Sequence, residues 1–305
     1  MARPLSFQRT RYAPTPSGYL HLGNIVSFVL TAGIAQQHGA SILLRIDDLD
    51  AERIRPAYLA DIFETLTFLD LPWHEGPRTV QEHHSLFSQQ HRLQQYNAAL
   101  HALQQQSALF ACSCSRSQLS LYPAAAGYPG LCVNRQLSFD TPGVAWRIKT
   151  AAAGTLSIHL PSGSTTVYSF PPSMQGFLVR GKNGVPAYQL ASVVDDVLMG
   201  VDLIVRGADL FPSSLAQLYL ASCLEKVSIF QQTAFLHHPL LRNSNGVKLS
   251  KSAGATSVQG MRQQGCTSAD VFSKAARFCG IHERVATWQE LYAHLKIRDR
   301  LFFSK

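Results

Sequence analysis

An α/β fold built on a parallel sheet, with an inserted α+β subdomain and a small C-terminal helical part, is what these 305 residues predict. Three observations carry that expectation. Short apolar runs alternate with helically spaced ones over the first hundred residues and again after Leu190. The stretch from Cys112 to Arg180 is richer in Gly, Pro and Ser, and past Leu240 a loop leads into helical patterns alone. Hydrophobic residues make up 46% of the chain and charged residues 15%, which excludes a disordered tail protein and suits about two domains. No apolar run reaches the roughly 18 residues of a membrane span. The N-terminus, Met1-Ala2-Arg3-Pro4, has no secretory pattern, so a cytoplasmic protein with no membrane partner is expected.

In order along the chain, Arg11-Tyr12-Ala13 reads as a strand and Pro14-Thr15-Pro16-Ser17-Gly18 as a rigid loop. Residues 24 to about 38 place Ile25, Phe28, Val29, Ala32 and Ile34 at helical spacing, and Gly39 stands where a left-handed C′ residue belongs. Residues 41–46 form a buried strand that runs into acids. Pro56 suits the first turn of a second helix reaching about residue 70. A further helix is expected over roughly 85–106, before the cysteines. Strand-like pieces at 144–148 and 176–180 belong to the insert, and the α/β pattern resumes at 190–196 and 203–207. These readings divide the chain into a first catalytic half (1–100), an inserted subdomain (101–188), a second catalytic half (189–240) and a loop with a helical cap (241–305). Trp288, Leu291 and Leu295 lie at helical spacing and read as the core of that cap.

Three groups of residues carry chemistry. His21-Leu22-Gly23-Asn24 opens the first helix, where backbone N–H groups attract phosphate, glycine admits a nucleotide and an imidazole can bond a phosphate oxygen; four such residues also make an ordinary strand-to-helix turn. Lys248-Leu249-Ser250-Lys251-Ser252 follows Asn243-Ser244-Asn245-Gly246, and two lysines three apart can stabilise charge building on a pyrophosphate leaving group, or simply form a solvated basic loop. Cys112, Cys114 and Cys132 are too unevenly placed among the six cysteines for a disulfide framework. With Tyr128 they suit a structural Zn²⁺ site, a histidine or water being the other choice of fourth ligand; three buried cysteines without a metal is the plainer alternative. The net charge of +8 points toward a polyanionic partner.

Taken together, these stretches resemble a known family. His21 to Asn24 resembles the HIGH signature and Lys248 to Ser252 the KMSKS signature of class I aminoacyl-tRNA synthetases. Arg11 to Gly18, Leu44 to Asp50 and Tyr188 to Asp196 resemble the glutamyl branch, and the likeness runs from residue 9 to about 255. It implies a Rossmann-type catalytic domain that uses ATP with Mg²⁺ to activate L-glutamate. His21, Gly23, Asn24 and Lys251 would bind ATP, with His21, Lys248 and Lys251 catalytic. Arg11, Ala13, Thr15, Asp47, Tyr188 and Arg206 would bind glutamate. A carboxylate side chain calls for fork-shaped cations, and Arg11 and Arg206 are expected at the C-terminal edge of a parallel sheet. The alternative for Arg206 is a structural ion pair with Asp195, Asp196 or Asp209.

Three positions depart from the family pattern: Asp47 stands where glutamate is usual, Thr15 where serine is, and Asn24 where the signature has its second histidine. The Cys-x-Cys…Tyr-x-x-x-Cys arrangement resembles short paralogues of glutamyl-tRNA synthetase that hold structural zinc and act on queuosine in the anticodon stem-loop of tRNA(Asp). About fifty residues follow the Lys248 stretch, so no anticodon-binding domain is expected. The expectation is a monomeric ligase that transfers glutamate to queuosine. The alternatives are a compact enzyme charging the tRNA 3′ end and an inactive paralogue that binds RNA or a protein.

Overall fold

The computed structural model describes residues 6–240 and 257–297, which fall into two compact units. The first unit gathers residues 6–91, 203–209, 235–240 and 257–297; the second holds 92–202 and 210–234.

In the first unit, the strands Arg9–Tyr12 and Ser41–Leu44 pair in parallel, with Arg9 opposite Ser41 and Tyr12 opposite Leu44. Ile42, Leu43 and Leu44 are all buried, as expected of a parallel strand covered on both faces. The strand Leu203–Gly207 neighbours the first strand, where the Thr10 hydroxyl donates to the Leu203 carbonyl at 2.9 Å, and it is hydrogen-bonded in turn to the strand Ala234–His238. The crossover between the paired strands is the helix Leu22–His38, whose residues Ile25 to Ala35 are nearly all buried apart from Ser27. A helix this apolar on every side belongs inside a core. It stops as expected at Gly39, which adopts φ +69° and returns its N–H to the Ala35 carbonyl.

The second helix runs Pro56–Phe68. The helix expected over 85–106 is broken in the structure. A turn at Val80–Glu82, a π-helical turn at His83–Phe87 and a 3₁₀ turn at Gln89–Arg92 precede the regular helix Leu93–Gln105. The break has a physical cause at Ser88, whose backbone is extended and whose hydroxyl, with the Gln89 N–H, is spent on the Asp48 carboxylate. Helical propensity alone could not reveal that competing bond.

At the C-terminal end lie the helices Val258–Gln263, Ser268–Phe278 and Trp288–Ile297. Trp288, Leu291 and Leu295 are buried, as their spacing predicts. The last helix packs on the first through Tyr292, whose ring lies over Gly33 and whose hydroxyl donates to Gln37 at 3.1 Å.

The second unit is α+β. Leu109–Cys112, Ala145–Ile148 and Leu178–Arg180 form a three-stranded sheet in which both pairings are antiparallel, and Thr155–His159 pairs with Thr165–Ser169 as a hairpin. Residues 190–196 belong to the helix Tyr188–Leu198. Within this unit Asp195 is fully buried, forked by Arg92 at 2.7 and 3.1 Å and bonded by the Tyr96 hydroxyl at 2.6 Å. No helix among the described residues is long and apolar enough to cross a membrane.

A methyl group at Gly33 would stand 2.1 to 2.4 Å from three ring carbons of Tyr292. Gly33→Ala is therefore expected to destabilise the chain by about 1–3 kcal/mol in urea unfolding. A second change, Tyr292→Ala, should recover part of that loss; strictly additive losses would show that the ring contact is not the cause.

Candidate active site

His21 caps the helix Leu22–His38 from an extended backbone. Its Nδ1 accepts the Gly23 N–H at 3.1 Å, and the Asn24 side-chain oxygen accepts the His21 N–H at 3.0 Å. This reciprocal box satisfies two N–H groups at the helix entrance. Because Nδ1 accepts, a neutral ring carries its hydrogen on Nε2, leaving that nitrogen as a donor. A side chain at Gly23 would meet the imidazole, its Cβ lying 2.9 Å from Cε1 of His21. Asn24, the departure from the histidine of the signature, thus has a structural task here.

Backbone pairing continues past the two parallel strands. The Arg45 N–H donates to the Tyr12 carbonyl at 2.9 Å and the Asp47 N–H to the Pro14 carbonyl at 3.0 Å. That places the half-buried Ala13, the exposed Thr15 and the buried Asp47 on adjacent strand extensions, with Arg11 buried in the first strand. Asp47 is held by a buried two-pronged contact from Arg45, Nε to Oδ1 at 2.7 Å and Nη2 to Oδ2 at 3.2 Å. Arg206, near the end of Leu203–Gly207, is also buried, its guanidinium 5.2 Å from the centre of the Phe235 ring. Burial, then the charge of Arg206 and of His238, pull the His237 imidazole down to about 3. His237 is therefore neutral, and Arg206 supplies the positive charge beside it.

The first helix is tied to both flanks of the segment that contains the lysines. His238 Nδ1 donates to the Pro239 carbonyl at 2.9 Å, so its Nε2 accepts from the Ser27 hydroxyl at 2.6 Å. On the far side Ser257 bridges to His21, and the Val258 N–H donates to the Leu20 carbonyl at 2.9 Å. Lys248 and Lys251 themselves lie outside the described residues. Tyr188 opens its helix in the second unit with its side chain exposed.

Residue type alone does not single out Asp48. Its carboxylate is buried and accepts from His83 Nε2 at 2.9 Å, from the Ser88 hydroxyl at 2.6 Å and from the Gln89 N–H at 2.7 Å. The sequence signal was slight: two consecutive acids closing an apolar strand, with partners 35 to 41 residues away.

In the second unit Cys112, Cys114 and Cys132 bring their sulfurs within 4.8 Å of one another. The Tyr128 hydroxyl stands 3.4 Å from the Cys112 sulfur and 3.6 Å from that of Cys114, while the Cys114 and Cys132 sulfurs are 3.5 Å apart. Tetrahedral zinc with bonds of about 2.3 Å to sulfur and 2.0 Å to oxygen spaces its ligand atoms roughly 3.5–3.8 Å apart, so this donor set fits the ion. The Arg147 guanidinium lies over the Tyr128 ring, 4.3 Å from its centre. Burial alone would raise the Cys132 thiol, but hydrogen bonds from Tyr128 and its neighbours outweigh it and draw the thiol down to about 6, into the thiolate range that metal binding requires.

The family model described as tRNA synthetases class I (E and Q), catalytic domain, matches residues 8–127 and 166–291. The chain belongs to the class I aminoacyl-tRNA synthetases of this glutamate and glutamine type. These are ligases that use ATP with Mg²⁺. A Glutamyl-Q tRNA(Asp) synthetase of Nitratidesulfovibrio vulgaris is 34% identical over 292 residues, covering 90% of this chain and 86% of the relative. Another of that name from Symbiobacterium thermophilum is 37% identical over 289 residues, covering 89% and 86%. The fold is that of the glutamate-tRNA synthetase crystal structure from Elizabethkingia anophelis, with a TM-score of 0.71 at 19% identity. The match covers 94% of this chain, which spans 65% of that longer one.

Burial raises the Asp48 carboxyl, but donation from His83, Ser88 and Gln89 prevails and holds it below the ordinary carboxylate range. A group lowered in the folded state adds stability above its unfolded value of about 3.9 and loses it as pH falls through the folded value. Asp48→Asn should accordingly cost about 1–3 kcal/mol at pH 7 and progressively less toward pH 3, read by urea unfolding at several pH values. A cost independent of pH would show that the charge is not what the donors stabilise.

Proposed function

We propose that this chain activates L-glutamate with ATP and transfers it to queuosine in the anticodon of tRNA(Asp). The supporting observation is its 34–37% identity across 86% of the length of relatives that carry that name. Glutamate would lie over the ends of the parallel strands. Arg11 and Arg206 are the buried cations suited to its side-chain carboxylate, with Tyr188 as an added hydroxyl donor. Asp47 and Thr15 face its amino group, beside Ala13.

In the first step an oxygen of the glutamate α-carboxylate attacks the α-phosphorus of ATP. The bond to the bridging oxygen breaks and pyrophosphate leaves. Catalysis here is positioning and charge stabilisation. His21 offers Nε2–H to a phosphate oxygen, and the helix entrance at Gly23 and Asn24 supplies the favourable end of its dipole. Lys251, with Lys248, stabilises the charge on the leaving pyrophosphate, and Mg²⁺ entering with ATP would supply counter-charge to its phosphates. The described flanks support this assignment, since Ser257 follows Lys251 by six residues and bridges to His21. In the second step a hydroxyl of the queuosine cyclopentene ring attacks the adenylate carbonyl and AMP departs. Cys112, Cys114, Tyr128 and Cys132 would hold a structural zinc, since four protein ligands would leave no open position. The enzyme acts in the cytoplasm as a monomer.

Three measurements check this reading. With labelled glutamate and ATP, label should enter an anticodon fragment only when the tRNA contains queuosine; label on the 3′-terminal adenosine would make this a charging enzyme, and no label would favour an inactive RNA- or protein-binding paralogue. Lys251→Ala should reduce glutamate-dependent ATP–pyrophosphate exchange by about 10²-fold or more with little change in stability. Elemental analysis should find one zinc per chain, lost in Cys114→Ser together with stability of the second unit; well-folded native protein without zinc would end that assignment.

A further inference from the structure

The loop from Arg45 to Leu49 is anchored at nearly every residue. Arg45 and Asp47 bond by their N–H groups to the end of the first strand and its extension, at Tyr12 and Pro14, and their side chains pair with each other. The next residue, Asp48, takes three donors from His83, Ser88 and Gln89. Gln89 reciprocates, its side-chain oxygen accepting the Leu49 N–H at 3.0 Å. His83 is fully buried, and its Nδ1 has no hydrogen-bond partner among the described residues. Among the described residues the imidazole thus makes a single hydrogen bond, Nε2–H to Asp48, while its ring lies 5.5 Å from that of His84.

A buried carboxylate with its donors is seldom the most stable way to fill such a space, since apolar side chains of similar volume do as well or better. What charged, short hydrogen bonds add is orientation. The donors arrive from the stretch where the chain abandons regular helix for a π-helical turn and an extended serine. That irregular backbone is the local cost of bringing His83, Ser88 and Gln89 onto one carboxylate.

We propose that His83, Ser88 and Gln89 are positioning residues for amino-acid binding: acting through Asp48, they hold the Arg45–Leu49 loop so that the Asp47 carboxylate stays in place for the substrate ammonium group. The inference rests on the role given to Asp47 under the proposed function. None of the three residues touches the reacting atoms. Their effect is therefore on glutamate binding, and the ATP side of the site is left as it is.

The test compares Ser88→Ala, His83→Phe and His83→Gln with the native full-length chain. Gln can place an amide N–H where Nε2 stands, whereas Phe fills the space without a donor. Two readouts are taken: amide hydrogen exchange at Asp47 and Leu49, and KM and kcat for glutamate and ATP in pyrophosphate exchange. Ser88→Ala and His83→Phe should speed exchange at those two amides about tenfold or more while Leu43 and Leu44 stay protected. The KM for glutamate should rise about tenfold, with the KM for ATP and kcat within about threefold of native, and His83→Gln should recover most of the loss. An unchanged glutamate KM, parallel rises for glutamate and ATP, or a Gln variant no better than Phe would overturn the proposal. Should His83→Phe not fold, Ser88→Ala, which removes one hydroxyl, decides alone. Native protein without glutamate-dependent exchange would refute the functional reading and the glutamate role together, whereas active native protein with unmoved amides in the variants would overturn this inference and leave that reading standing.

Discussion

Parallel pairing between Arg9–Tyr12 and Ser41–Leu44 is the constraint from which the rest follows. Because the hydrogen bonds continue from Arg45 to Tyr12 and from Asp47 to Pro14, the register of the strands is carried into both loops that leave them. A slip of one residue would reverse every side chain between the faces of the sheet. It would take Arg11 and Asp47 away from their present places at the sheet edge at once. The buried run Ile42-Leu43-Leu44 resists such a slip, so hydrophobic burial in the sheet is what fixes the polar geometry at its edge.

Around that frame, three buried carboxylates are each met by donors. Asp47 has Arg45, Asp48 has three donors, and in the second unit Asp195 has Arg92 and Tyr96. Arg206 sits near a histidine that its own charge helps to keep neutral. The cysteine cluster follows the same logic by a different chemistry: its thiols gather about a phenol at distances that suit a tetrahedral ion.

Much of this was legible in the residues, and the reasons are local. Apolar spacing located the helix Leu22–His38 and the cap core at Trp288, Leu291 and Leu295, and Gly39 marked a helix end because only a left-handed residue suits it. The cysteine group was legible because ligand type and spacing are written consecutively. The broken stretch before Leu93 was not, since its cause is Asp48, some forty residues earlier. For the same reason Asp47 could be read as a substrate contact from its motif, while its pairing with Arg45 needed the backbone geometry. The role of Asn24 was hidden too: a residue that departs from a signature looks like a loss until the helix cap it completes is seen.

That cap gives His21 two employments on one ring. Nδ1 belongs to the helix, holding the Gly23 N–H, so in the neutral ring the donor is Nε2. Under the proposed function, removing the side chain would delete a phosphate donor and also unseat the first turn of a largely buried helix, a structural loss of roughly 1 kcal/mol. A drop in turnover after such a change would measure both employments added together. Replacement by asparagine, which can cap but cannot reach outward as an imidazole does, would separate the carpentry of the helix from the chemistry of the phosphate.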